Sequence, residues 1–164
     1  MENTANKEFI KFQIYPIYNT DRDETRDAMV VDIAQNGVFV LDPYTNSITT
    51  FNFEGYPDWG FSMKERLLHQ EPKLVNYVEV EVTDFANLRN TEEDEIFTLV
   101  KLRNGRIAVI YKIYEAEYRY DGFILTPSEF FACTWNGKGF VYANIPTEND
   151  IVAILRDRET ITYN

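Results

Sequence analysis

Ile96-Phe97-Thr98-Leu99-Val100-Lys101-Leu102-Arg103-Asn104-Gly105-Arg106-Ile107-Ala108-Val109-Ile110-Tyr111-Lys112-Ile113 is the stretch that decides the fold class of this chain. Two runs rich in β-branched residues, Ile96 to Leu102 and Arg106 to Ile113, flank Asn104-Gly105. That dipeptide supplies the positive φ angles of a tight turn, so the stretch reads as a β-hairpin. The second arm is predicted to run on through Tyr120. Tyr114, Tyr118 and Tyr120 continue one side, while Glu115, Glu117 and Arg119 take the other.

The same alternation recurs outward from this hairpin. From Glu8, the side chains of Ile10, Phe12 and Ile14 share one side and those of Lys11 and Gln13 the other, which predicts a strand with one solvated face. Ala28 to Ile33 and Gly37 to Leu41 predict a hairpin around Gln35-Asn36-Gly37, and Asp42-Pro43-Tyr44-Thr45-Asn46 turns the chain into a strand over Ser47 to Phe53. In Val75 to Val82, Val78, Val80 and Val82 alternate with Glu79 and Glu81. Phe140 to Ile145 reads as a further strand. Two charged runs, Asp21 to Asp27 and Thr91 to Glu95, read as exposed loops.

Three segments carry helix-start signals. Ser62-Met63-Lys64-Glu65 has capping-box spacing, with Met63 and Leu67 on a core face and Pro72 as the stop. Thr126-Pro127-Ser128-Glu129 pairs a cap with proline at the first helical position, followed by Phe130, Phe131 and Cys133. A hairpin turning at Asn136-Gly137 competes with that helix. Thr147-Glu148-Asn149-Asp150 opens a short helix carrying Ile151, Ile154 and Leu155. The prediction is therefore an α+β fold, mainly antiparallel β, with about eight strands in hairpins and two or three short helices. A small β-sandwich or barrel is the alternative. The 164 residues suit one globular domain over 8–164 behind a flexible tail, 1–7.

Composition narrows the function classes. The chain holds 27 Asp+Glu against 16 Lys+Arg, a net charge of −11, with 11 Tyr and 12 Phe but one His and one Cys. Phosphate contacts are made by clustered Lys and Arg, so this balance argues against direct binding to nucleic acid, and equally against anionic membrane surfaces. It suits a basic protein partner, whose encounter rate an acidic field raises. Cys133 alone precludes an intramolecular disulfide and fits a reducing compartment. The polar start, Met1 to Glu8, does not resemble a secretory signal, and no apolar run approaches the roughly 18 residues of a membrane span. A cytoplasmic protein is expected.

Catalytic motifs are missing from the sequence. It has no glycine-rich phosphate loop, no G-x-S-x-G, no H-E-x-x-H and no C-x-x-C. No cofactor and no metal are predicted. His69 reads as a surface residue and Cys133, among Phe130, Phe131 and Trp135, as a small buried hydrophobe. Glu79 and Glu81 lie roughly 6–7 Å apart along one face, a spacing open to a ligand site or an acid/base pair, although a solvated face is the plainer reading.

The residues with most promise are aromatic and acidic together. Tyr114, Tyr118 and Tyr120 neighbour Glu115, Glu117 and Asp121, and Glu92, Glu93, Asp94 and Glu95 form a separate acidic run. Tyrosine beside carboxylates suits a partner presenting Lys or Arg. These residues predict an acidic protein-binding inhibitor or adaptor, of the immunity-protein or anti-nuclease type. Its partner would be a basic protein, with a nuclease or another nucleic-acid enzyme as the natural target. The alternative is a small-ligand protein or carboxylate hydrolase using Glu79 and Glu81, and self-association into a homo-oligomer through the aromatic surface is a third reading.

Overall fold

Among the described residues every regular element in the computed structural model is a β-strand. The structure describes residues 8–57, 64–70, 77–81, 97–114, 119–127 and 129–157, with the backbone alone at Glu81 and Asp157. The chain falls into two compact units, Met1–Leu74 and Val75–Asn164.

Unit 1 contains β1 (Ile14–Asn19), β2 (Glu24–Ile33), β3 (Gly37–Asp42), β4 (Ser47–Asn52) and β5 (Glu65–Leu67). They form one antiparallel sheet in the order β4-β3-β2-β1-β5. Tyr15, Ile17, Ala28, Val30, Val38, Val40, Phe51 and Leu67 pack on one face with Phe9. The opposite face is apolar as well. A cross-strand row runs Ile14, Met29, Leu41, Ile48, and Met29 and Leu41 are buried. That is why β2 and β3 read as nearly continuous apolar runs, as strands buried on both faces do.

Unit 2 contains β6 (Tyr77–Glu81), β7 (Thr98–Leu102), β8 (Ile107–Tyr114), β9 (Arg119–Leu125), β10 (Phe130–Asn136) and β11 (Ile151–Asp157). Its sheet is antiparallel, in the order β10-β9-β8-β7-β11-β6. The Asn104-Gly105 hairpin forms between β7 and β8: Gly105 has φ +86°, its N–H donates to Leu102 O (2.9 Å), and Leu102 N–H donates to Arg106 O (2.9 Å). Val100, Leu102, Ala108, Ile110, Tyr120, Ile124, Trp135, Ile151 and Ile154 make the core.

The α+β prediction is wrong: among the described residues there is no helix, and the protein is all-β. Glu65 and Leu67 lie in β5, paired with Asn19 and Ile17 of β1. Phe130 and Cys133 lie in β10, paired with Leu125 and Gly122. Ile151 and Ile154 lie in β11. In each case long-range strand pairing outcompetes a local capping signal, because a short helix here would leave its backbone groups unable to complete the sheet.

Strand boundaries also differ from prediction. β2 starts at Glu24 rather than Ala28, so the second half of the charged run Asp21 to Asp27, expected as an exposed loop, is strand paired with β1. The first strand starts at Ile14, since Phe12 adopts φ +68° and breaks the alternation. The arm of β8 ends at Tyr114 and β9 begins at Arg119. Phe140 to Ile145 follows a series of bends rather than a strand.

Candidate functional site

The core-bearing face of the unit 1 sheet turns polar toward the β1–β2 connection. Arg26 lies opposite Ile17, which lies opposite Leu67, so Arg26 is in phase with the core residues Ala28 and Val30. A guanidinium at that position needs acceptors, and two carboxylates supply them. Its Nε and Nη2 donate to Asp42 (3.1 and 2.7 Å), and its Nη1 and Nη2 donate to Glu65 (3.2 and 2.8 Å). Asp42 is buried at 2% exposure and also accepts from Tyr44 N–H at 3.0 Å. Burial works against the Arg26 charge, but Asp42 and Glu65 outweigh it and push its pKa up. Arg26 thereby cross-links β2, the end of β3, and β5.

The Tyr44 ring covers this group, with the Arg26 guanidinium 5.2 Å from its centroid. The Tyr44 hydroxyl accepts from Arg22 Nη1 at 3.3 Å. Asn19, Arg22, Glu24, Thr25, Arg26, Tyr44 and Glu65 line a cleft of about 160 Å³. Ligand pockets usually span about 300–1,000 Å³. With Arg26 already answered by two carboxylates, the groups presented outward are Arg22, Glu24 and the Tyr44 ring. The cleft is a mixed-charge surface feature. Arg26, expected in an exposed charged loop, and Glu65, expected to cap a helix, are both strand residues, and a charged side chain two positions before Ala28 in a strand register is the sequence signal of this bridge.

In unit 2 a polar row crosses β8, β9 and β10. The Arg119 guanidinium sits 4.3 Å from the centroid of the Tyr114 ring, and its Nε lies 3.2 Å from Asp121 Oδ1. Thr134 Oγ1 donates to the same Asp121 oxygen at 3.1 Å. Tyr114 and Asp121 are thus brought together, and the chain's own Arg119 stands between them. Tyr120 is fully buried in the core. Glu92, Glu93, Asp94, Glu95, Glu115, Glu117 and Tyr118 lie outside the described residues. The Glu79 carboxylate is exposed and 2.6 Å from Lys101 Nζ. Glu81 closes β6 in register with Ala153.

One buried carboxylate holds the loop that precedes β11. Asp150 is fully buried and accepts from Thr147 N–H (2.8 Å), Thr147 Oγ1 (2.9 Å) and Val141 N–H (3.1 Å), with Arg103 Nη2 at 3.5 Å. Burial alone would raise its pKa, yet the hydrogen bonds from Thr147 and Val141 and the charge of Arg103 hold it below the usual value. Trp135 Nε1 donates to Asn149 O (2.8 Å) beside it. The fixed loop presents Tyr142 and Ile145 to solvent, at 61% and 64% exposure.

The two residues closest to a nucleophile and a base are occupied differently. His69, in unit 1, stacks on Phe9 with centroids 3.9 Å apart. Cys133, in unit 2, is half-buried, and burial above all pushes its thiol up to about 11, so it is protonated at neutral pH. Among the described residues no three His, Cys, Asp or Glu side chains are placed to hold a metal ion. None of the described residues forms a helix long and apolar enough to cross a membrane. No family model, no curated protein and no solved structure matches this chain.

Proposed function

We propose that this protein is an acidic inhibitor or adaptor that occupies a basic surface of a partner protein, with a nucleic-acid-handling enzyme as the class of target. One observation carries the reading: just over half of the net charge of −11 falls in one short stretch. Residues 79–95 hold seven Asp or Glu and a single basic residue, Arg89, whereas residues 96–164 hold eight acidic and eight basic residues. The acidic stretch begins at β6, an edge strand of the unit 2 sheet, where Glu79 is exposed. Carboxylates closely spaced along a chain offer a basic groove what a phosphate backbone offers it, a dense array of negative charge.

Affinity capture from the native host's lysate at low and high salt tests the reading. The bait is the full chain, and the control replaces Glu92, Glu93 and Glu95 by Gln and Asp94 by Asn. The proposal expects a basic nucleic-acid-binding protein that is retained at low salt, weakened at high salt and lost with the control. Retention of that protein by the neutralised chain would overturn the site, and the absence of any basic partner would overturn the function.

A further inference from the structure

Among the described residues no strand pairs with the outer edge of β10, where the Cys133 thiol lies 3.9 Å from Thr134 O. β10 ends the unit 2 sheet, and its register with β9 is unbroken from Phe130 to Asn136. The hydrogen bonds at its two ends fix which backbone groups face outward. Thr126 N–H donates to Glu129 O (3.0 Å) across the β9–β10 turn, and at the far end Asn136 N–H turns away to Phe140 O (2.8 Å). By the antiparallel alternation between those points, Phe131, Cys133 and Trp135 exchange bonds with β9, and the N–H and C=O groups of Ala132 and Thr134 point away from it. Among the described residues no backbone group pairs with these four. Ala132, Thr134 and Phe131 are exposed.

Natural edge strands are usually blunted by a charge, a proline, a bulge or a cover. The sequence Phe130-Phe131-Ala132-Cys133-Thr134-Trp135-Asn136 has no Lys, Arg, Asp, Glu or Pro, and no bulge interrupts it. Such an edge is built to be paired.

We propose that β10 pairs with β10 of a second copy of this chain, antiparallel about a two-fold axis. Charge selects that occupant. A chain of net charge −11 repels its own copy wherever the surplus lies, yet residues 96–164 are balanced and β10 bears no Asp, Glu, Lys or Arg. Two copies paired along β10 therefore bring no charged side chain of that strand against its mate. A basic partner is drawn instead to the stretch that begins at β6, the other edge of the same sheet order. An antiparallel strand pair is also self-complementary, because each copy supplies the same donors and acceptors to the other. Ala132 and Thr134 have small side chains in the outward-bonding row and allow close backbone approach. The inference stands independently of the proposed partner.

Sedimentation equilibrium of the full chain from micromolar to millimolar concentration tests it, with hydrogen–deuterium exchange of residues 130–136 at both limits. The expected result is a monomer–dimer equilibrium that high salt does not weaken, since salt screens the repulsion between two acidic chains, with the Ala132 and Thr134 amides protected as dimer forms. Ala132→Pro removes an outward N–H without removing a bond to β9, and Ala132→Lys places a charge near its own symmetry mate. Each is expected to weaken the dimer by at least about tenfold. An unchanged near-ultraviolet signal from Trp135 shows that the variants are folded, and the lysine variant serves alone if the proline disturbs the strand. A monomer at every concentration overturns the proposal. So does a dimer unchanged in the folded variants, or one that dissociates in high salt.

Discussion

The Arg26 guanidinium meets the buried Asp42 carboxylate edge-on, with Nη2 2.7 Å from Oδ2 and Nε 3.1 Å from both oxygens. Its remaining edge meets Glu65, so one side chain ties β2 to β3 and β5 above the unit 1 core.

Removing Arg26 strands a carboxylate with little access to water. Arg26→Met is expected to cost about 3–5 kcal/mol in urea unfolding, since Asp42 is left buried without its cation. Arg26→Lys should fall between wild type and that value, because an ammonium cannot span two carboxylates as a planar fork does. A loss below about 1 kcal/mol for Arg26→Met, the range of an exposed pair, would show that the bridge is solvated in solution.

Asp150 gives the stability an acid dependence whose sign is set by its lowered pKa. The carboxylate contributes fully above its unfolded-state pKa, near 3.8, and the contribution fades as pH falls through the lower folded value. Asp150→Asn should be less stable than wild type at neutral pH, and the gap should shrink below that range. Chemical unfolding of both proteins across the acid range measures this. A gap that stays constant would assign the pH dependence to other groups.

The Cys133 thiol should be slow toward a disulfide reagent at neutral pH, because burial holds it protonated up to about 11. Labelling should accelerate sharply on unfolding in urea, and in the folded protein as pH approaches that value. Fast labelling of native protein at neutral pH would show an open thiol.

Gly122 sits where β9 crowds β8. A Cβ there would lie 2.2 Å from the Val109 carbonyl oxygen, a backbone atom that cannot rotate away. Gly122→Ala should therefore destabilise by at least about 1–3 kcal/mol, the usual cost of overpacking. At Gly105 a Cβ meets nothing within 4 Å, so Gly105→Ala bears only the strain of φ +86° and should cost about 1 kcal/mol. Thermal unfolding of the two variants would reverse the argument if their order were inverted.

The capping signals show how a correct local reading led to a wrong element. Glu129 N–H does donate to Thr126 Oγ1 (3.2 Å), as a helix cap requires, but Thr126 N–H also donates to Glu129 O (3.0 Å) and closes a hairpin turn. At Thr147 the likeness to a cap is closer. Asp150 reaches back to Thr147 N–H (2.8 Å), the reciprocal bond of a capping box, and the chain then enters β11. A hydroxyl and a carboxylate three residues apart stabilise one turn of chain. They do not decide whether a helix or a strand comes next.

The β2–β3 hairpin closes with Ala34 N–H donating to Gly37 O (2.8 Å) and without the positive φ expected at Asn36-Gly37. Local chemistry by itself determined the hairpin at Asn104-Gly105, the antiparallel character, the buried valines of β2 and β3, and the excess of negative charge. Each depends on a residue's own φ preference, its alternation with neighbours, or its ionisation. Tertiary structure alone decided that Phe130 to Asn136 would be a strand rather than a helix, because the bonds that settle it come from β9. It also decided that Arg26 would find Asp42 and Glu65, and that Arg119 would stand between Tyr114 and Asp121. Arg119 and Asp121 share a face by simple alternation along β9, but the bonds of Arg26 and the meeting of Arg119 with Tyr114 cross strands, and only the register of a sheet fixes which side chains meet there.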